Sequence, residues 1–243
     1  MPPEISAVVL AKNDEDTIDA CLASLNWANE IIVVVDAAST DKTRDLAGKH
    51  TSFVYTHQFS DFSEQRNFGL HNATKEWVWC NDSDERTTPQ LQDEIRKAVE
   101  QDTQVGYWVP YLNYVLGKTV RHGRWHPDLH LRLFRKEGVY FANRIHEVPI
   151  TRGSLGYLQN AVMHYTFPSL SERCEKMRLS SELLAQELIE RQASLSVLKA
   201  PQHTNSWYSV YRQDGWRGIL VEVFDIVEMC MTYQKARQLQ KQA

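Results

Sequence analysis

Apolar and polar positions alternate in long blocks over the first hundred residues. Ile5-Ser-Ala-Val-Val-Leu-Ala11 is a short apolar run and predicts a buried strand. Asn13 or Asp14 is placed to cap a helix through Leu25, with Glu15 and Asp16 in its first turn. Glu30-Ile-Ile-Val-Val-Val-Asp36, rich in β-branched residues, predicts a second buried strand. Ser39 or Thr40 then caps a helix that Gly48 closes. Residues 52–56 read as a third strand, 62–71 as a helix and 76–80 as a fourth strand. Pro89 suits the first turn of a helix reaching about Gln101. Apolar strands alternating with helices imply an α/β fold with a mostly parallel sheet covered on both faces.

The pattern changes after residue 105. Gly106 to Val115 reads as a strand and Gly117-Lys118 as a turn. Leu129-His-Leu-Arg-Leu-Phe-Arg135 alternates and predicts a half-exposed strand. From Ser169 apolar residues recur at helical spacing. Residues 201–214 read as a polar, aromatic connection before a final apolar helix from Trp216. The expected organisation is a catalytic domain over residues 1–168, divided near 104, followed by a helical extension over 169–243.

Composition narrows the classes. A formal net charge of -4 argues against nucleic-acid binding by bulk electrostatics. Cys21, Cys80, Cys174 and Cys230 form no CxxC pair, which disfavours structural zinc. Scattered thiols and the lack of a basic, apolar leader lead to a cytoplasmic reading. The last helix carries Glu222, Asp225 and Glu228, so it is expected to dock or form a homodimer contact rather than cross a membrane. The flanking Arg212, Arg217, Lys235 and Arg237 leave peripheral contact with the inner membrane face open.

Candidate chemistry gathers at strand ends. Asn81-Asp82-Ser83-Asp84-Glu85 follows an apolar strand; two carboxylates one residue apart there can share Mg²⁺ or Mn²⁺, or simply form an acidic turn before the Pro89 helix. Asp36 ends another strand, followed by Ala-Ala-Ser-Thr-Asp41. In a parallel sheet both acids should face one crevice. Arg66, in Gln65-Arg-Asn67, is a helix-borne cation near it. Residues 118–136 hold Lys118, Arg121, Arg124, Arg132, Arg135 and Lys136 against one acid, Asp128, with aromatic residues interleaved. Such a stretch suits phosphate groups and sugar faces.

Taken in order, these segments resemble glycosyltransferase family 2, with its nucleotide-sugar-binding GT-A fold. The family patterns V-V-I-x-x-x-N, V-D-x-G-S-T-D, Q-R-N and L-D-A-D-E stand here at residues 7–13, 35–41, 65–67 and 81–85. Gly123-Arg-Trp-His-Pro-Asp128, Leu131-Arg-Leu-Phe-Arg135, Ile145-His-Glu147 and Met163-His-Tyr165 are similar to the subgroup containing lipopolysaccharide core β-1,4-glucosyltransferases. Ala38 replaces the usual glycine of the second pattern, and Asn81 replaces an apolar residue before the first acid, which would shift polarity near the ribose.

The resemblance implies an inverting, metal-dependent enzyme moving a sugar, glucose as first choice, from a nucleotide-diphosphate donor such as UDP-glucose. The acceptor is a saccharide or a lipid-linked sugar. By the same resemblance Asn13, Asp36, Arg66, Asp82, Arg132 and Arg135 contact the donor, and Asp82, Asp84 and His164 hold the metal. One carboxylate must serve as base in inverting transfer. Glu147 is the first choice and Asp128 the second. A peptide or protein glycosyltransferase and a catalytically silent nucleotide-sugar binder are the alternative readings.

Overall fold

A computed structural model describes residues 2–122, 127–143, 147–167, 170–191 and 207–242. Arg124, Trp125, Arg144 and His146, which the sequence singles out, lie outside the described residues.

The chain begins with β1 (Ile5–Ala11), α1 (Ile18–Ala23), β2 (Glu30–Asp36), α2 (Thr43–Ala47), β3 (Val54–His57), α3 (Phe62–Asn72) and β4 (Trp77–Asp82). It continues through β5 (Glu85–Arg86), α4 (Pro89–Gln101), β6 (Gly106–Val115), β7 (Lys118–Val120), β8 (Leu129–Arg135), β9 (Tyr140–Ala142), β10 (Val148–Ile150), β11 (Leu155–Tyr157) and β12 (Val162–Phe167). Three helices follow: α5 (Leu170–Glu190), α6 (Trp207–Asp214) and α7 (Trp216–Gln242). The main sheet has the order β3-β2-β1-β4-β8-β6-β12-β5. Strands β3, β2, β1 and β4 are parallel, whereas β8 runs antiparallel to both β4 and β6.

The parallel strands are apolar on both faces because helices cover both. Ile31, Val33, Val35, Trp77 and Trp79 point into one core with Ile18, Leu22, Leu91 and Ile95 from α1 and α4. Ile32, Val34, Val78 and Cys80 alternate into a second core with Leu70 of α3 and with Phe134 and Phe141. Each such aliphatic side chain contributes roughly 1.5–3 kcal/mol by leaving water. Helix α3 packs unusually close to the sheet. A Cβ on Gly69 would stand 2.4 Å from Val8 Cγ1, so only glycine fits.

The chain divides into two compact units. The first comprises residues 1–112 and 128–164. The second comprises residues 113–127 and 165–243, so a segment from the middle of the chain groups with the C-terminal helices. In the second unit α5 packs on α7, where Arg173 pairs with Glu228 at 2.9 Å and Lys235 with Glu182 at 3.0 Å. Asp214 accepts the backbone N–H groups of Arg121 at 3.1 Å and His122 at 2.7 Å.

Several local expectations need correction. The first helix starts at Ile18 rather than at Asn13 or Asp14, whose side chains are engaged in loop contacts. The Leu129–Arg135 strand is not half-exposed: β4 and β6 flank it, and Leu131, Leu133 and Phe134 are buried. Residues 207–214 form helix α6, not an irregular connection, and Gly215 ends it at φ +67°. Ala38 is not strained, since the non-glycine residues at positive φ among those described are Asn13, Asp102, Leu116 and Asn143.

Candidate active site

Three loops, after β1, β2 and β4, gather candidate site residues at the carboxyl ends of the parallel strands. The loops after β1 and β2 are tied together by Asn13. Its Oδ1 accepts the Thr40 N–H at 2.8 Å, and its own N–H donates to Ser39 Oγ at 3.0 Å. These bonds hold Asn13 at φ 53°, a left-handed conformation that asparagine tolerates. Asp14 and Glu15 N–H groups add bonds to Thr43 Oγ1 at 2.7 Å and Asp41 Oδ2 at 2.9 Å. Asn13 therefore ties the loop after β1 to the loop after β2.

Asp36 ends β2 and is 3% exposed. The Ala38 N–H donates to its Oδ1 at 3.0 Å, and the Lys12 ammonium lies 2.7 Å from its Oδ2. Burial alone would raise its pKa; these donors, with the Phe59 N–H, outweigh it and hold the carboxyl below its ordinary range.

The residues of the Gln65-Arg-Asn67 segment divide their work. Gln65 Oε1 meets His57 Nδ1 at 2.7 Å at the end of β3. Asn67 makes two backbone bonds to Phe141 of β9, accepting its N–H at 2.7 Å and donating to its carbonyl at 3.0 Å. Arg66, 1% exposed, enters the acidic cluster. Its Nη2 donates to Asp82 Oδ1 at 2.6 Å, its Nε to Glu147 Oε1 at 3.0 Å and its Nη1 to the Asn81 carbonyl at 3.3 Å.

Arg132 enters from β8. Its Nη2 donates to Asp82 Oδ2 at 2.9 Å and to Glu85 Oε1 at 3.0 Å, while its Nε donates to Tyr111 Oη at 2.6 Å. The result is a chain of alternating charge: Glu147, Arg66, Asp82, Arg132, Glu85. Burial would raise Asp82, but Arg66 and Arg132 reverse this and hold its carboxyl well below the ordinary range. For Glu85 burial dominates and raises the pKa, with Asp82 and Asp84 adding and Arg132 and His164 opposing.

Three ligand atoms, one each from Asp84, Glu85 and His164, lie within 4.8 Å of one another. Pairing of β12 with β5 sets His164 opposite Glu85, and His164 Nε2 stands 3.7 Å from Asp84 Oδ1. Two carboxylates and an imidazole form a donor set that suits Mn²⁺ or Mg²⁺. Asp82, also expected to hold the metal, stands next to this group with its two oxygens in ion pairs with Arg66 and Arg132. Glu85 is the site residue that the DxD spacing overlooks. It is 1% exposed, and its Oε2 also accepts the Asp82 N–H at 2.9 Å.

One expected placement differs. Arg135 is not brought to this cluster. It pairs with Trp77 across the sheet, stacks 5.1 Å from that ring and bonds Glu76 and Asp102. Because β8 is antiparallel to β4, Arg135 lies by the start of β4 and Arg132 nearer its end. Asn81 is bound into the fold by its own side chain. It is fully buried, accepts the Trp79 Nε1–H at 3.0 Å and donates to the Asp82 and Glu85 carbonyls at 2.8 and 3.3 Å, bracing the acidic turn from below. Asp128 lies 2.7 Å from His130 Nε2, and that imidazole packs 4.4 Å from the Tyr111 ring.

Comparison with known proteins agrees with this arrangement. An uncharacterised glycosyltransferase of Rickettsia conorii, RC0292, is 24% identical over 245 residues, covering 91% of this chain and 86% of the relative. LpsC of Rhizobium meliloti, named as a lipopolysaccharide core biosynthesis glycosyltransferase, is 27% identical over 196 residues, covering 76% and 72%. Glucosyl-3-phosphoglycerate synthase from Mycobacterium tuberculosis, solved with Mg²⁺ and UDP, matches in fold with a TM-score of 0.52 at 17% identity, covering 79% of this chain and 80% of that one. That likeness is to a GT-A type of sheet and helix arrangement. The family model for glycosyl transferase family 2 matches residues 6–158, the span that contains all three loops, and the chain belongs to that family.

Proposed function

We propose that this chain is an inverting, divalent-metal-dependent glycosyltransferase that moves a hexose from a nucleotide-diphosphate sugar to a saccharide or lipid-linked acceptor. The observation that carries the reading is the convergence of Asp84, Glu85 and His164 beside an arginine-locked Asp82 where the parallel strands end. UDP in the matched synthase structure supports a uridine donor, and glucose is the sugar first expected. The name of LpsC supports an acceptor in lipopolysaccharide core. Among the described residues no helix is long and apolar enough to cross a membrane.

Asp84, Glu85 and His164 would hold the cation, which supplies charge neutralisation for a diphosphate leaving group. Asp36 accepts an N–H from the base. Glu147, 14% exposed and oriented by Arg66, takes the proton of the acceptor hydroxyl as that oxygen bonds to the anomeric carbon. The sugar–diphosphate C–O bond breaks and its electron pair leaves with the phosphate. Arg66 and Arg132 keep three carboxylates at fixed separations, so the site is organised before substrate arrives.

Calorimetry with UDP, with and without Mn²⁺, tests the cation. In the wild type Mn²⁺ should tighten UDP binding by about tenfold or more, and Asp84→Ala should abolish that gain without lowering thermal stability. Equal, Mn²⁺-independent affinity in both proteins would remove the metal from the proposal.

A further inference from the structure

Asp36 is almost wholly buried, yet the cation paired with it is half exposed. The Ala38 and Phe59 N–H groups belong to the backbone of the fold. The Lys12 ammonium stands 2.7 Å from Asp36 Oδ2 as an ion pair, on a side chain 48% exposed, so it comes to the carboxylate from the solvent side. A ligand must arrive from that same side.

The backbone of Lys12 is fixed. Its N–H donates to Asp14 Oδ2 at 2.7 Å, and the next residue, Asn13, is held by Ser39 and Thr40. Only the four-carbon stem is able to move. The Phe59 ring lies 5.9 Å from the ammonium and offers a face on which a displaced cation stays stabilised.

We propose that Lys12 is a retractable cover on Asp36. In the ligand-free protein it occupies the carboxylate, and the ring N–H of an incoming uracil-type or guanine-type base displaces it. The inference rests on the nucleotide-sugar reading above. Lys12 thereby sets donor affinity: each binding event must first break an intramolecular ion pair, so the apparent affinity falls by the fraction of molecules with Asp36 uncovered.

The test is calorimetry with UDP and GDP in the presence of Mn²⁺ on the wild type, Lys12→Met, Asp36→Asn and the double variant, with thermal melts as a fold check. Lys12→Met should bind the preferred nucleotide about three- to tenfold more tightly than wild type. In the Asp36→Asn background the same change should have no effect, because no carboxylate remains to cover. Unchanged or weaker binding by Lys12→Met, or a gain that persists in the double variant, overturns the cover while leaving nucleotide binding intact. Failure of the wild type to bind either nucleotide overturns both readings, and that outcome is distinct because it appears before any substitution is made.

Discussion

The ends of β2 and β4 each present a buried or half-buried carboxylate, and they are held by opposite means. Asp82 receives two guanidinium groups, from Arg66 and Arg132, that are themselves 1% and 10% exposed. Asp36 receives a single ammonium from a lysine that is half in water. Arginine presents a rigid, planar set of donors and keeps its charge when buried, whereas lysine is a mobile point charge on a flexible stem. The β4 corner is thus a fixed frame and the β2 corner an adjustable contact. One strand end thus carries a carboxylate paired twice by buried guanidinium groups, and another a carboxylate paired once by an exposed ammonium.

The comparison can be broken most forcefully at the base. Glu147 is tied into the fixed frame through Arg66, and Asp128 is not. Glu147→Gln should lower kcat by about 10²–10⁴ with little change in stability, and Asp128→Asn should lower it far less. Steady-state kinetics on both variants checks the ranking, and the reverse order would transfer the role to Asp128.

Removing an arginine from the frame comes next. Arg66→Met leaves Asp82 and Glu147 short of a buried cation and should destabilise the fold by about 3–5 kcal/mol in urea titration. Lys12→Met should cost no more than about 1 kcal/mol, as suits an exposed partner. Similar losses in the two variants would erase the distinction between the corners.

A smaller effect comes from Glu30, at the opposite end of β2 from Asp36. Ser6 Oγ donates to its Oε2 at 2.5 Å, and Thr74 donates through N–H and hydroxyl at 2.9 Å each. Burial would raise its pKa, but these donors outweigh it and lower the value from 4.5. A lowered folded pKa means that its stabilising effect is complete above pH 4.5 and is lost as pH falls through the folded value. Glu30→Gln should cost about 1–2 kcal/mol at neutral pH, and the gap from wild type should narrow below pH 4.5 in melting curves. A gap that widens on acidification would reverse the assigned direction.

The parallel half of the fold was legible because β-branched runs such as Ile31 to Val35 have only one comfortable environment, a strand covered on both sides. Asp36, Arg66 and Asp82 were legible as site candidates for a related reason: charged groups at the ends of such runs must meet a crevice or each other. What the sequence hid was direction. Nothing in Leu129 to Arg135 says that the strand runs antiparallel to β4, and that alone sends Arg132 to the acids and Arg135 to the far end. The same alternation suggested a solvent face because Arg132 and His130 are polar; the acids that satisfy Arg132 come from more than forty residues away. Glu85 stands at the tail of a DxD turn, and the available signal was a third acid directly after the pair, where β5 begins. His57, Lys12 and Tyr111 gave no local sign of their contacts.

The acidic turn rests on sulfur. Cys21 and Cys80 are fully buried, and the amide of Asn81 donates to Cys21 Sγ at 3.3 Å directly under Asp82. Burial raises both thiols, Cys80 to about 11, which keeps them protonated and unreactive at neutral pH. Cys174 on α5 and Cys230 on α7 are exposed. Alkylating dyes applied to the native protein should therefore decorate the C-terminal helices alone, giving spectroscopic handles that leave the sugar-transfer machinery chemically untouched.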